Sequence, residues 1–474
     1  MIVEKTSFDA FSKYSNLRLG AFYRLPKLKY GYTYFTDVIS VIESGSRPAG
    51  GIQESDYGEA ISLGGEQIGT DGVLNLDKIP YVSNDYYDSI NKGKVKQGDI
   101  LLCKDGALTG KVCIANTDDI NNARIMVNEH VYIVRANEKY DQSFLFYVMS
   151  LPMFRKQVID LAFRKKGQPG LNSDHIKQLR VPNISIDEQK EILAEAGPLI
   201  AKIKNSRDSM EEVSTIIDEV FEKQLLIDKN ALSAIDAVNV RKVKCSDISY
   251  RNNTTRLSYR WNKALELQRK LEMLSKVKVE PLGKHVVDTQ NGWSPTCSEV
   301  SSDYRVFGLD AITRSGVISE LNVKYSDEDK SNFDDFVVNK GDFFISRGNT
   351  TDLVALASVV DSLDEDIKTI FPDLMIRITF DENIDIKYMA YLFNSYIGRY
   401  YFKYASKGKN QTMVKVSSAE INGFLVPVPS LKKQKEISVR IGKLLEKREI
   451  QHAQLIEDQR RLLCSIGNSL EKGI

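Results

Sequence analysis

Long apolar runs are missing from this sequence. No stretch approaches the roughly 18 uncharged residues that a membrane-spanning helix requires. Glu4, Lys5, Asp9, Lys13 and Arg18 interrupt the opening segment, where a secretory leader would need an apolar core. Cysteine is scarce: Cys103, Cys113, Cys245, Cys297 and Cys464 form no Cys-x-x-Cys pair, and His130, His175, His285 and His452 fall at no zinc-ligand spacing. Neither a disulfide scaffold nor a zinc finger is expected. No sign of charge is in excess, since 65 Lys and Arg against 64 Asp and Glu leave a net charge of +1, and no overall field selects a partner. The expectation is a reduced, cytoplasmic chain without membrane contact.

What the sequence does contain is itself, twice. Its 474 residues suffice for several domains at about 100 to 200 residues each, and internal repeats decide how they are arranged. The segment Ile186 to Ile192 (IDEQKEI) returns as Leu431 to Ile437 (LKKQKEI), 245 residues later. Val181 and Pro182 return as Val426 and Pro427 at the same shift. Upstream, Gly98 and Asp99 match Gly341 and Asp342 at a shift of 243, and Arg18, Leu19 and Tyr23 match Arg256, Leu257 and Trp261 at 238. Anchors in one order with a small drift mean two parallel copies with short insertions.

Each copy reads as strands followed by helices. Asp99 to Cys103 and Val131 to Val134 are short apolar runs bounded by turn residues, and helical periodicity follows from Phe144 to Ile159. The second copy offers strands at 342–345 and 374–378 and a helix from Ile386 to Tyr396. Without strict alternation this predicts an α+β fold of two tandem mixed α/β modules, each followed by a long helix. Ile192, Ala196, Leu199, Ile203, Met210, Val213, Ile217 and Val220 trace a heptad seam, which Ile437, Ile441, Leu444, Leu455 and Leu462 repeat. Ser185 with Glu188 forms a capping-box pattern, and Gly197-Pro198 is expected to kink the first helix. Residues 185–228 carry 11 acids and 5 bases, a balance of −6, whereas 430–474 carry 10 bases and 6 acids, a balance of +4. The two rods are expected to pair as an antiparallel coiled coil with pseudo-two-fold symmetry.

Two tandem modules, each ending in Val-Pro and a Gln-Lys-Glu-Ile helix entry, resemble the specificity subunit of type I restriction-modification systems. The turn Ser44 to Pro48 and the Gly-Asp strand entries belong to the same pattern, whereas the second copy has Gly292, Trp293, Ser294 and Pro295 at the turn. The resemblance implies target recognition domains at 1–184 and 229–429, and partner-binding spacer helices at 185–228 and 430–474. It implies a non-catalytic subunit of phage defence with no cofactor of its own. It would read a bipartite site on double-stranded DNA and assemble with two methyltransferase subunits that use S-adenosylmethionine, and with restriction subunits.

The residues themselves supply candidate DNA contacts. Arg155, Lys156, Arg164, Lys165, Lys166 and Gln168 cluster before the first long helix; Arg399, Lys403, Lys407, Lys409, Asn410 and Gln411 occupy the matching stretch of the second copy. Lys and Arg suit phosphates, while Asn, Gln and Arg pair with base edges. Arg47, Lys104 and Arg347 lie in turn-like segments and join the set. Competing readings are the recognition subunit of a methyltransferase-nuclease cutting outside its site, a metal-dependent nuclease using Asp373, Asp385 and Lys387, and a DNA-free coiled-coil adaptor. Gly106 to Val112 has one residue too few between its glycines for a phosphate-binding loop.

Overall fold

The computed structural model describes residues 25–48, 60–69, 71–76, 79–116, 124–162, 169–234, 258–319, 323–363, 366–410 and 413–471. The chain divides into two units, residues 1–209 with 452–474 and residues 210–451. Both are mixed α and β structures. Arg18 to Tyr23, Arg256 and Leu257 lie outside the described residues.

The strands of the first unit are β1 (Tyr32–Tyr34), β2 (Ile39–Ser44), β3 (Ala60–Leu63), β4 (Tyr81–Val82), β5 (Ile100–Cys103), β6 (Val112–Ile114), β7 (Arg124–Val127), β8 (Val131–Ala136) and β9 (Arg180–Pro182). An antiparallel sheet has the order β2-β8-β5-β6, a second sheet places β3 between antiparallel β4 and parallel β7, and β1 pairs with β9. Unalternating Ile-Leu-Leu-Cys in β5 suits a strand covered on both faces. One face, Leu101 and Cys103, shares a core with Ile61, Leu63 and Val127 of the second sheet. The helices are α1 (Asn84–Ser89), α2 (Gln142–Ser150), α3 (Pro152–Ala162), α4 (Ser173–Ile176) and α5 (Ile186–Asp208).

The second unit begins with α6 (Val213–Leu225), α7 (Lys229–Ser233) and α8 (Tyr259–Leu274) and then repeats the first almost element for element. Its strands are β10 (Val279–Pro281), β11 (Val286–Asn291), β12 (Tyr304–Val306), β13 (Lys324–Ser326), β14 (Phe343–Ser346), β15 (Gly348–Asn349), β16 (Ala357–Val359), β17 (Thr369–Ile370), β18 (Met375–Phe380), β19 (Lys407–Asn410), β20 (Met413–Lys415) and β21 (Leu425–Pro427). The orders β11-β18-β14-β16 and β13-β12-β17 and the pair β10-β21 match the first unit, and β15-β20-β19 stands where the first unit has a bridge between Asp105 and Gly170. Helices α9 (Ile386–Asn394), α10 (Tyr396–Ala405) and α11 (Ser418–Gly423) precede α12 (Leu431–Leu470).

The repeated motifs prove to be joints. Gly98 and Gly341 have φ of +79° and +92°, the left-handed region that glycine enters without steric cost. The following acids close the same turn: Asp99 accepts the Lys96 amide at 2.8 Å and Asp342 accepts the Asn339 amide at 2.9 Å. Each acid also meets an arginine of the neighbouring strand, Arg135 at 2.6 Å and Arg377 at 3.2 Å. In the helix-entry motif Gln189 and Gln434 are fully buried. Gln189 donates to the Lys139 and Ile184 carbonyls, and Gln434 to those of Asn383 and Pro429. Beside them the buried hydroxyls of Tyr140 and Tyr388 donate to the carbonyls of Pro182 and Pro427. The Val-Pro junctions recur because each is bolted to a module.

The helices depart from two uniform rods. Residues 185–228 hold two helices, α5 and α6, with Ser209 ending the first and Glu212 starting the second, whereas α12 runs unbroken. Pro198 lies inside α5, which continues to Asp208. Ser185 and Glu188 form the expected capping box. In the first unit Lys202 of α5 meets Asp458 of α12 at 2.7 Å. The end of α12 closes on Lys29, whose amide donates to the Leu470 carbonyl at 2.9 Å. In the second unit Lys433 donates to Gln224 at 2.8 Å and Arg448 to the Glu211 carbonyl at 2.9 Å, so α6 and the first part of α12 run antiparallel. The Lys202 and Asp458 pair joins a base of the acidic helix to an acid of the basic one, opposite to the sense expected from the helix totals. It neutralises a carboxylate that breaks the apolar seam, and Lys202 holds that carboxyl below its ordinary value.

Candidate nucleic-acid interface

In the first unit the end of β2, the β5-β6 hairpin and the β7-β8 turn converge. A Cβ on Gly45 would overlap the Val127 carbonyl, so only glycine lets the turn after β2 lie on the end of β7. Arg47, exposed, donates from Nε to Glu129 at 2.5 Å and also reaches His130. His130 Nδ1 contacts Asp105 at 2.5 Å. Burial raises the Glu129 carboxyl, but its backbone amide and Arg47 outweigh that and hold it below the ordinary value. Lys104 places its ammonium over the Tyr132 ring at 5.0 Å. The Lys104 carbonyl accepts the Leu171 amide, and Gly106 donates to Pro169, so one flank of the basic stretch 163–168 is anchored beside Lys104. Burial pushes the Cys103 thiol up to about 11, which leaves it unreactive at neutral pH.

The second unit builds the same corner from different side chains. A Cβ on Gly292 would overlap the Phe371 and Pro372 carbonyls. Ser294 takes the place of the first unit's turn residues: its hydroxyl donates to Asp373 Oδ1 at 2.6 Å and accepts the Asp373 amide at 3.0 Å. Arg347 donates from Nη1 to the Asp373 carbonyl at 3.3 Å and through its amide to Leu374 at 2.7 Å. Its carbonyl accepts the Val416 amide, which attaches the β19-β20 ribbon. Arg347 thus corresponds to Lys104, and Asp373 to the Glu129 and His130 turn.

The structure therefore brings Arg47 and Lys104 together with the start of the segment after the basic cluster, and Arg347 together with the ribbon. Arg155 and Lys156 are exposed on α3, with Arg155 packed along the Gly110 position. Arg164, Lys165, Lys166, Gln168 and Gln411 lie outside the described residues; Lys409 and Asn410 belong to β19 by backbone. Two candidates have internal duties. The Arg399 guanidinium turns inward to the carbonyls of Phe393 and Val354, and burial followed by the nearby Arg314 lowers its pKa to about 9. This arginine braces the hairpin rather than projecting from it. Lys407 pairs at 2.5 Å with Glu420, whose side chain is buried, and Lys403 lies with its ammonium 5.6 Å from the Tyr404 ring.

The acid-acid-lysine set does not assemble. Asp385 caps α9 through the Tyr388 amide at 2.8 Å, Lys387 pairs with Asp361 at 2.7 Å, and Asp373 is held by Ser294. Among the described residues no group of three or more His, Cys, Asp or Glu is placed to hold a metal ion. No helix among them is long and apolar enough to cross a membrane. Sequence reasoning missed His130, and Lys415, which pairs with Gly348 beside Arg347, as members of the two corners. Their equivalence depends on turns whose lengths differ between copies, and only the shared shift from Gly-Asp to the hairpin pointed toward them.

Residues 288–458 match the family model described as the type I restriction modification DNA specificity domain. Among curated proteins the chain is 23% identical over 143 residues to the type I restriction enzyme MjaVIII specificity subunit of Methanocaldococcus jannaschii. That stretch is 30% of this chain and 33% of the relative, so the chain spans about one third of the length of the curated relative it matches. Solved structures with similarity include the S subunit of a type I restriction-modification system from M. genitalium, at 13% identity over 93% of this chain and 96% of that one, with a TM-score of 0.39. The HsdS subunit from Thermoanaerobacter tengcongensis shows 13% identity over 95% and 99% of the two chains, with a TM-score of 0.32. The second half of the chain thus carries the match to the type I restriction modification DNA specificity domain, and the curated relative it resembles is a type I specificity subunit.

Proposed function

We propose that this chain is the DNA sequence-recognition subunit of a type I restriction-modification complex. Residues 1–184 and 229–429 would each read one half of a bipartite target. The segments 185–228 and 430–474 would recruit two methyltransferase subunits, with S-adenosylmethionine bound by those partners, and restriction subunits. The chain itself carries out no chemistry in this reading, and it works in the cytoplasm. The observation that carries the proposal is the duplicated corner. At equivalent places in both units a glycine-led turn, a cation at the hairpin base and a partnered acid sit at strand ends, with basic sequence beside them. Cations there suit phosphates, and variable turn residues suit base edges.

Two experiments test this. The chain would be expressed with its methyltransferase subunits in a host lacking other adenine methylation, and methylated adenines would be mapped. A single split sequence is expected; methylation without a sequence rule sinks the proposal. Binding of the complex to duplex DNA should fall steeply with salt, because each phosphate contact releases a counterion. Salt-independent or absent binding would favour the adaptor. Magnesium-dependent cleavage by the chain alone, lost in Asp385→Ala, would establish the nuclease.

A further inference from the structure

The sheet β15-β20-β19 stands where the first unit has the bridge between Asp105 and Gly170, and its strands β19 and β20 set basic side chains against each other. In the β19-β20 ribbon Lys407 stands directly opposite Lys415, and Asn410 opposite Met413, with an irregularity between them. Like charges facing each other across two strands repel. Glu420 neutralises Lys407 at 2.5 Å, but among the described residues Lys415 makes no ion pair. The Lys415 stem runs over Gly348, where a Cβ would stand 3.4 Å from its Cγ, so a side chain at 348 would crowd it. Alternation fixes the faces. Val414 and Val416 are buried, whereas Met413 and Lys415 point outward, with Met413 52% exposed. An exposed thioether beside an uncompensated ammonium, near Arg347, suits a partner that is anionic along its backbone and apolar in places.

Resting on the reading of the chain as a DNA-recognition subunit, we propose that the β19-β20 ribbon of the second unit is a major-groove reading element, in which Lys415 contacts a phosphate and Met413 packs against a thymine methyl group. A two-stranded ribbon fits the major groove of B-form DNA, about 12 Å wide, and the methyl group of thymine is exposed only there. Asn410, opposite Met413 in register, lies at the same end of the ribbon. Arg347, immediately before the strand β15 that flanks β20, would extend the phosphate contacts on that side.

The test uses the full chain in complex with its methyltransferase subunits and a library of duplexes randomised across both half-sites. Lys415→Gln should weaken binding to all sequences alike and flatten the salt dependence by about one unit of log-log slope. Met413→Ala should leave the salt slope unchanged but lower discrimination roughly tenfold at one position of one half-site, in keeping with the usual cost of a lost base contact. If Met413→Ala leaves the ranking of sequences intact, or alters both half-sites, the ribbon does not read bases and the proposal falls. It also falls if ranking is unchanged while assembly with methyltransferase is lost, since the ribbon would then be a protein contact. Absence of salt-dependent DNA binding by the unmodified complex would instead bring down the recognition reading itself.

Discussion

Gln434, fully buried at the start of the C-terminal helix, accepts the backbone amide of Asp385 at 2.9 Å. Its amide nitrogen donates at 3.0 Å to both the Asn383 and Pro429 carbonyls, so one side chain satisfies backbone groups on both sides of the helix entry. Gln189 does the same in the first unit with Asp141, Lys139 and Ile184. Replacing Gln434 by Leu strands these groups away from water and should cost about 2–4 kcal/mol. In calorimetry of the full chain, Gln434→Leu should lower the unfolding transition of the second unit and Gln189→Leu that of the first. Substitutions that leave both transitions in place would show that the glutamines are not joints.

This joint marks what the sequence could and could not disclose. The recurrence of Gln-Lys-Glu-Ile was plain, and so was a helix entry, because Ser185 and Glu188 announce a cap locally. That the glutamine faces inward was hidden, since its partners at 139 and 383 are about 50 residues away in sequence. The heptad seam located the helices but not the interruption at 209–212, where no proline or glycine signals an end. Cation clusters were legible as composition. Yet Arg399 and Lys407 were spent on a carbonyl and a buried carboxylate, and only packing separates such residues from projecting ones.

Gly98 and Gly341 isolate backbone strain from crowding. Each has a positive φ, and a Cβ at either would meet nothing within 4 Å. Alanine there should therefore cost about 1 kcal/mol or slightly more, the penalty of left-handed backbone for an L side chain. Gly292→Ala, where a Cβ would overlap two carbonyls, should cost more than either. Equal losses at all three sites in urea titrations would contradict the assignment of the turns.

A carboxylate cluster in the second unit gives a pH dependence. Glu280 is buried and contacts Lys278 at 2.8 Å, His285 at 3.2 Å and Lys284 at 3.2 Å. Lys278 above all, then His285 and Lys284 against the opposing effect of burial, bring its pKa down to about 2 from the ordinary 4.5. A carboxyl depressed on folding contributes stability that is present above its unfolded pKa and disappears as the pH falls through the folded value. The stability difference between the natural chain and Glu280→Gln should thus be constant above about pH 5 and shrink between about pH 4.5 and 2. Thermal unfolding of both proteins across that range checks it, and a difference that grows on acidification would reverse the sign and reject the cluster.

Arg47 and Glu129 make opposite predictions for DNA binding because they share one ion pair. Both side chains are about 40% exposed, so the pair adds little to stability and its substitution should leave folding intact. Arg47→Ala removes a cation and leaves Glu129 facing the phosphates, so affinity for all sequences should fall by about tenfold with a flatter salt slope. Glu129→Gln removes the competing carboxylate and frees Arg47, so nonspecific affinity should rise. A carboxylate can also accept from the amino group of cytosine. If Glu129 serves that purpose, Glu129→Gln will raise affinity for random DNA while erasing preference at one base pair of one half-site. Titration of the methyltransferase complex at two salt concentrations, against random and methylated-site duplexes, separates the roles. A Glu129→Gln complex that binds both duplexes more weakly would show that the pair positions the turn and does not restrain the arginine.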